Sequence, residues 1–300
     1  MAEAYTEEIT LEKRLKEDAE FIEGELDRRL DPELLGGGRM AEAIRYAVLG
    51  GGKRIRAFLT LEFCRMFGGN IRDAAAYASA IEMVHAYSLI HDDMPEMDND
   101  DMRRGKPSCH KKFGTSVALL AGDALLTYAF ETCVLDFTNN DRMNRYCVYE
   151  LSHGAGAAGM CLGQELDLKL DCASLDDLKY LYNRKTGALI KTASMLGYYA
   201  AVDHPDPVVR DKIYAYSMAL GLAFQIVDDL LDVESTEEEL GKPIGSDERN
   251  GKKTVLSFMS VEEARAEARR LTDYASGIFA GMPDSRFICE LPEYLCGRRK

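Results

Sequence analysis

Two apolar runs with helical spacing each end in a cluster of carboxylates, and this pairing most restricts what the chain can fold into. The first run, Ala74 to His91, places Tyr77, Ile81, Val84 and Ser88 on one stripe and leads into "IHDDMPEMDNDDMRRGKP" at 90–107. The second, Asp211 to Asp232, carries Ile213, Leu220, Phe224, Val227 and Leu231 and ends in "FQIVDDLLD" at 224–232. Asp228 and Asp232 stand four residues apart and share a helix face. Followed backward, that face reads Gln225, Gly221, Met218, Tyr214, charged at one end and apolar at the other. Below Asp92 the first run behaves alike through Ser88, His85 or Leu89, and Ile81. An exposed face would stay polar throughout. The pattern fits the wall of a cavity with a charged mouth and an apolar interior.

The remainder of the chain supports a helical frame. Leu11, Leu15, Ile22, Leu26 and Leu30 recur at helix spacing, and no strand alternation of useful length occurs. Turn-forming segments separate the runs at 31–39, 67–70 and 203–207, with a longer polar tract at 234–254. That tract exceeds an ordinary helix connection and reads as a lid or a disordered loop. No composition shift marks a linker. The expectation is one all-α domain over residues 1–300, a helical bundle around a deep central cavity.

Charge and cysteine usage narrow the function classes. With 37 basic and 51 acidic residues the net charge is −14, which disfavours general nucleic-acid binding. No 18-residue apolar run suggests a membrane span, and the N-terminus lacks the pattern of a secretory signal. Eight scattered cysteines without a C-x-x-C pair suit reduced thiols in a cytoplasmic protein.

Pro95 disfavours helix at Met94, so the first helix is expected to end near Asp93, with carboxylates at the negative end of the helix dipole. A cation relieves that repulsion. Oxygen ligands without nearby thiol or imidazole pairs suit Mg²⁺, which completes its shell with water and phosphate. Taken alone, the first cluster would more often be a solvated acidic turn; the second shifts that balance. "DNDD" lacks the glycine and terminal glutamate of a calcium loop. Two carboxylate sets facing each other suit metals clamping a diphosphate above an apolar shaft, hence an amphipathic substrate. "LGGGKRIRAFL" at 49–59 offers Lys53, Arg54 and Arg56 but lacks P-loop spacing.

Together the ordered motifs resemble the trans-isoprenyl diphosphate synthases, of the bacterial farnesyl or plastid-type geranylgeranyl branch. They run from "GGKRIR" at 51–56 through "HDDMPEMDNDDMRRGKP" at 91–107, "GDALL" at 122–126, "GQELDL" at 163–168, "KTG" at 185–187 and "FQIVDDLLD" at 224–232 to "GKPIGSD" at 241–247. The resemblance implies Asp92, Asp93, Asp98, Asp228, Asp229 and Asp232 as ligands of Mg²⁺, three ions with bound diphosphate. It assigns Arg103, Lys185, Lys242 and Lys252 to the allylic diphosphate. Lys53, Arg56, His85 and Arg104 would hold isopentenyl diphosphate. Thr186 and Gln225 would turn their oxygens to the developing allylic cation, and together with Lys185 they form the implied catalytic set. The tail "GRRK" resembles basic tails that close over the second substrate. A homodimer is implied. Ala57 stands where the family usually has proline, and some local loosening is expected there.

Product length should depend on the shaft floor. Tyr87 and Ser88 lie about one turn below Asp92. An aromatic at the position of Tyr87 resembles the short-chain type, so farnesyl diphosphate is expected and geranylgeranyl diphosphate is the alternative. A class I terpene cyclase would not need Lys53, Arg56 and Arg104, and the absence of tryptophan speaks against it. A non-catalytic partner subunit of a synthase could lose its carboxylates, yet both sets are present.

Overall fold

The computed structural model describes residues 9–135, 141–169, 172–234 and 252–297. Thirteen α-helices are described. In order they are α1 Leu11–Arg29, α2 Gly38–Val48, α3 Ile55–Met66, α4 Ile71–Asp92, α5 Cys109–Phe113, α6 Thr115–Leu135 and α7 Asp141–Ala155. Then come α8 Met160–Lys169, α9 Leu175–Tyr182, α10 Ala188–Ala201, α11 Pro207–Glu234, α12 Val261–Ile278 and α13 Arg286–Cys296. A hairpin of two-residue strands, β1 Met102–Arg103 and β2 Lys106–Pro107, is the only sheet among the described residues. The all-α expectation holds.

The centre belongs to α3, α4 and α10, which are buried on nearly every side. A helix apolar all round has to sit inside, and the alanines of α4 at 74–76, 78 and 80 let neighbours approach its backbone closely. Around this centre α4 packs on α6, α10 on α3 and α7, and α11 on α12. One contiguous apolar core reaches from Leu11 to Leu295. The residues expected inside α1 are buried, Leu11, Leu15, Ile22, Leu26 and Leu30 among them. Tyr77, Ile81 and Val84 are fully enclosed.

α6 departs from the run-based expectation. It is long and apolar enough by length and composition to cross a membrane, with mean hydropathy 1.4. One face packs on α4, whereas Leu119, Leu120, Val134 and Leu135 remain exposed. The cavity-wall reading of the α11 stripe also needs correction at its lower end: Met218 packs near Gly187, but Tyr214 is exposed. The tract at 235–251, with Lys242, and the tail residues 298–300 lie outside the described residues.

Candidate active site

α4 ends at Asp92 with Asp93 as its C-cap, as Pro95 requires, and the chain turns back so that Asp98 N–H donates to Asp92 O at 2.9 Å. The hairpin follows. Met102 pairs with Pro107 and Arg103 with Lys106, leaving Arg104 and Gly105 as a two-residue turn. Both have positive φ, 52° and 73°, the conformation that matches the twist of a tight hairpin. Adjacent arginines are thereby sent to different places. Arg103 makes a forked ion pair with Asp93, while the Arg104 guanidinium lies against Gly52, where an added Cβ would come within 2.9 Å of it. Gly52, at φ 130°, leaves that space open.

Arg104 leads into a cavity of about 190 Å³ lined by Lys53, Arg54, Arg56, Glu82, His85, Thr186, Ile190, Phe224 and Leu295. Three of the four expected bases of the second diphosphate thus gather with Arg104 around one space. Burial, only partly offset by Glu82, lowers the pKa of Arg56, and its Nε is buried with no hydrogen-bond partner among the described residues. Burial and the neighbouring charges of Arg56 and Arg104 hold the His85 imidazole well below its ordinary range. The unpartnered guanidinium nitrogen of Arg56, beside Lys53 and Arg104, offers donors of the kind that suit an anion. Arg54 serves differently. It is 5 % exposed and spends its guanidinium on Glu23, Glu82 and the Val48 carbonyl. The expected loosening at Ala57 is not found: its N–H, which proline would lack, donates to Glu82 Oε1 at 3.0 Å.

The other half of the site forms where α8 and α11 close on a π-helical turn, Asn183–Gly187. An added Cβ on Gly163 would come within 2.2 Å of Lys185 N, and one on Gly221 within 2.9 Å of Gly187 Cα, so both helices press their backbones against the turn. Such turns interrupt the regular ladder and recur at functional sites. Here the turn presents Lys185 and Thr186. Thr186 Oγ1 donates to Gln225 Oε1, bringing the two expected cation-facing oxygens together. Lys185 Nζ donates to Asp167 Oδ2 at 2.7 Å. Lys252 Nζ reaches the same oxygen at 3.1 Å and Asp98 Oδ1 at 2.9 Å. Burial alone would raise Asp167, but the two lysines together hold it below the usual carboxylate range.

The six aspartates are not equivalent. Asp92 is half-buried and accepts from Gln164 Nε2, and burial raises its pKa. Asp93 is turned to Arg103, and burial raises it despite that partner. Asp229, 5 % exposed, accepts from Tyr182 OH at 2.6 Å and from Val255 N–H at 2.8 Å, fastening the chain where it re-emerges after the long tract. Asp228 is half-buried and Asp232 buried. No group of three carboxylate, imidazole or thiol ligands converges among the described residues. The donor set is nevertheless all oxygen, and the Lys252 ammonium bridging Asp98 and Asp167 occupies the position a cation would favour. One or two carboxylates suffice for Mg²⁺ when phosphate completes the shell, so these residues fit the metal. Within "GQELDL" the structure adds Gln164 and Asp167 to the site, and the sequence signal for them is the helix face they share with Gly163 on α8.

Tyr87 is buried and packs edge-on to His91, with ring centroids 5.8 Å apart. Burial, then the neighbouring Cys161 thiol on α8, push its phenol above the ordinary range. Ser88 is half-buried and its hydroxyl donates to the His85 carbonyl at 2.8 Å.

The polyprenyl synthetase family model matches residues 38–279, and the chain belongs to this family of prenyltransferases. The farnesyl diphosphate synthase of Escherichia coli (strain K12) is 43 % identical over 273 residues, 87 % of this chain and 90 % of that one. The chloroplastic geranylgeranyl pyrophosphate synthase of Capsicum annuum is 42 % identical over 250 residues, 82 % of this chain and 67 % of that one. A solved FPP/GFPP synthase from Zymomonas mobilis, in its apo form, superposes with a TM-score of 0.84 at 34 % identity, covering 95 % and 98 % of the two chains.

Proposed function

We propose that the chain condenses isopentenyl diphosphate head-to-tail with dimethylallyl and geranyl diphosphates, making farnesyl diphosphate and releasing pyrophosphate. The observation that carries this reading is the hairpin that sends Arg103 to the aspartate side and Arg104 to the basic cavity. A condensation of two diphosphates needs two such anion sites; a hydrolase or cyclase needs one. Lys185, Lys252 and Arg103 bind the allylic diphosphate, with Lys242 from the long tract. Lys53, Arg56, His85 and Arg104 hold isopentenyl diphosphate.

Asp92 and Asp98 on one side and Asp228 and Asp232 on the other would hold Mg²⁺, which would supply charge neutralisation for the leaving group. Lys185 and Lys252 donate hydrogen bonds to the same departing oxygens, whose charge grows as the allylic C–O bond breaks. Thr186 and Gln225 direct oxygen atoms at the allylic carbon as it becomes cationic. The isopentenyl alkene then forms the new C–C bond, and the released pyrophosphate takes the proton lost from the adjacent carbon. No protein nucleophile takes part. Apolar Ile190 and Phe224 keep water from the cation.

Tyr87 favours fifteen carbons over the twenty of geranylgeranyl diphosphate, because a buried ring wedged toward α8 closes the shaft. The exposed apolar face of α6 supports a homodimer, and the free thiols of Cys64, Cys109, Cys133, Cys147 and Cys161 suit the reducing cytoplasm. The test incubates purified protein with dimethylallyl diphosphate, labelled isopentenyl diphosphate and Mg²⁺, with an EDTA control, and identifies the dephosphorylated alcohols by mass. Metal-dependent farnesol is expected. Geranylgeraniol would keep the enzyme class and remove Tyr87 as floor. Folded protein without condensation would favour a partner subunit of a synthase.

A further inference from the structure

The basic cavity contains one group that a diphosphate site should avoid. Lys53, Arg54, Arg56, His85 and Arg104 line it together with a single carboxylate, Glu82. Glu82 is 2 % exposed and belongs to α4, one turn before His85. Left unpartnered there, it would repel the ligand and cost the full penalty of a buried charge. Both its oxygens are engaged instead. Oε1 accepts from Ala57 N–H at 3.0 Å and Oε2 from Arg54 Nη1 at 3.2 Å.

Those two donors sit at the start of α3. Arg54 is its N-cap, with φ at 50°, and Ala57 lies in its first turn, where backbone N–H groups have no partner inside the helix. Between them stands Arg56, whose buried Nε is unpartnered among the described residues. Glu82 therefore grips the helix on both sides of the arginine that faces the ligand, and it does so from the helix that carries His85. The left-handed Arg54 is held in turn by Glu23 at 2.7 Å and the Val48 carbonyl at 2.6 Å.

We propose that Glu82 is a positioning residue of the second diphosphate site: it fixes Arg56 against His85 and balances the arginine cluster while the site is empty. This rests on the reading of that cavity as the isopentenyl diphosphate site. Both carboxylate oxygens of Glu82 are spent on Arg54 and Ala57, and among the described residues no hydrogen bond or ion pair joins it to Asp92, Asp98, Lys185 or Lys252, so its influence is expected to fall on one substrate only.

The test replaces Glu82 by Gln, which preserves shape and the acceptor for Ala57 but sets an amide against the Arg54 guanidinium. Loss of partners that orient a ligand-binding group typically costs roughly 10- to 100-fold in affinity, and the KM for isopentenyl diphosphate is expected to rise by about that factor. The KM for dimethylallyl diphosphate should stay within about twofold, since the lost contacts lie outside its site. Calorimetric binding of isopentenyl diphosphate without Mg²⁺ should weaken in parallel. Glu82→Asp, which keeps the charge and shortens its reach, should show a smaller shift in the same direction and carries the test if Glu82→Gln does not fold. Two KM values that move together, or neither moving in folded protein, would overturn the proposal. Wild-type protein that binds isopentenyl diphosphate but fails to condense it would refute the reaction and leave the binding comparison to decide the role of Glu82.

Discussion

Replacing Tyr87 by Ala should lengthen the product by one isoprene unit and no more. Four C–C bonds of about 1.5 Å in a zigzag make each isoprene repeat about 5 Å long. One helical turn rises about 5.4 Å. Removing the ring therefore lowers the floor by one turn, to Met83 and Val84, and makes room for one further unit. Both residues are fully buried, and Met83 is braced by the Thr132 hydroxyl, 3.7 Å from its sulfur. Truncating a buried aromatic to alanine costs about 3 kcal/mol, lowering the melting temperature by several degrees while the large core keeps the protein folded. The assay compares alcohols released from wild-type and variant products at equal turnover, with thermal unfolding as the fold control. The expected outcome is a shift from farnesol to geranylgeraniol. Unchanged farnesol from folded variant would refute Tyr87 as the floor. Products of twenty-five carbons or longer would refute the argument that Met83 and Val84 form the next stop.

The remaining predictions concern the charged groups. Arg103→Ala should raise the KM for the allylic diphosphate and Arg104→Ala that for isopentenyl diphosphate; steady-state kinetics showing one shared effect would contradict the division made by the hairpin. Asp167→Ala removes the partner common to Lys185 and Lys252 and leaves Lys252 on Asp98, so kcat/KM for the allylic substrate should fall about a hundredfold with a higher Mg²⁺ requirement. His85, depressed in the folded state, lets the unfolded chain bind the extra proton below pH 6.5, so stability is lost as pH falls through that value. Its contribution is up to about 1.4 kcal/mol per pH unit, and the slope should be absent from unfolding curves of His85→Gln. Leu120→Glu, on the exposed face of α6, should yield monomers by sedimentation if that face joins two copies.

The parts of this architecture legible in the sequence are those in which one side chain reports one environment. Large apolar residues at helix spacing place α1 and the stripe of α4 because a leucine or tyrosine has only one low-energy place to go. Alanine reports less. The run at 74–76 does not declare itself as core, yet it is buried, and it is what lets α4 occupy the centre. Charged residues report least, because burial and partnership are decided by elements distant in sequence. Lys53, Arg54 and Arg56 look interchangeable in "GGGKRIR", but Arg54 is enclosed by Glu23 and Glu82 while Arg56 faces the cavity.

The same limit explains the aspartates. Spacing places Asp228 and Asp232 on one face, but it cannot announce that Asp229 is held by Tyr182 from α9 and by the backbone of Val255. The two functions of that short motif are complementary. Asp228 and Asp232 are the pair proposed for the cation, while Asp229 anchors the chain just beyond Lys252, the lysine that reaches across to Asp98. A single turn of α11 thus couples the second carboxylate set to the first through the strand of chain that Asp229 holds in place. Substituting Asp229 by Asn should then weaken the placement of Lys252 more than the binding of metal. The expected kinetic signature is that of Lys252→Ala, a loss in allylic kcat/KM at saturating Mg²⁺; recovery of activity by added Mg²⁺ would instead assign Asp229 to the metal.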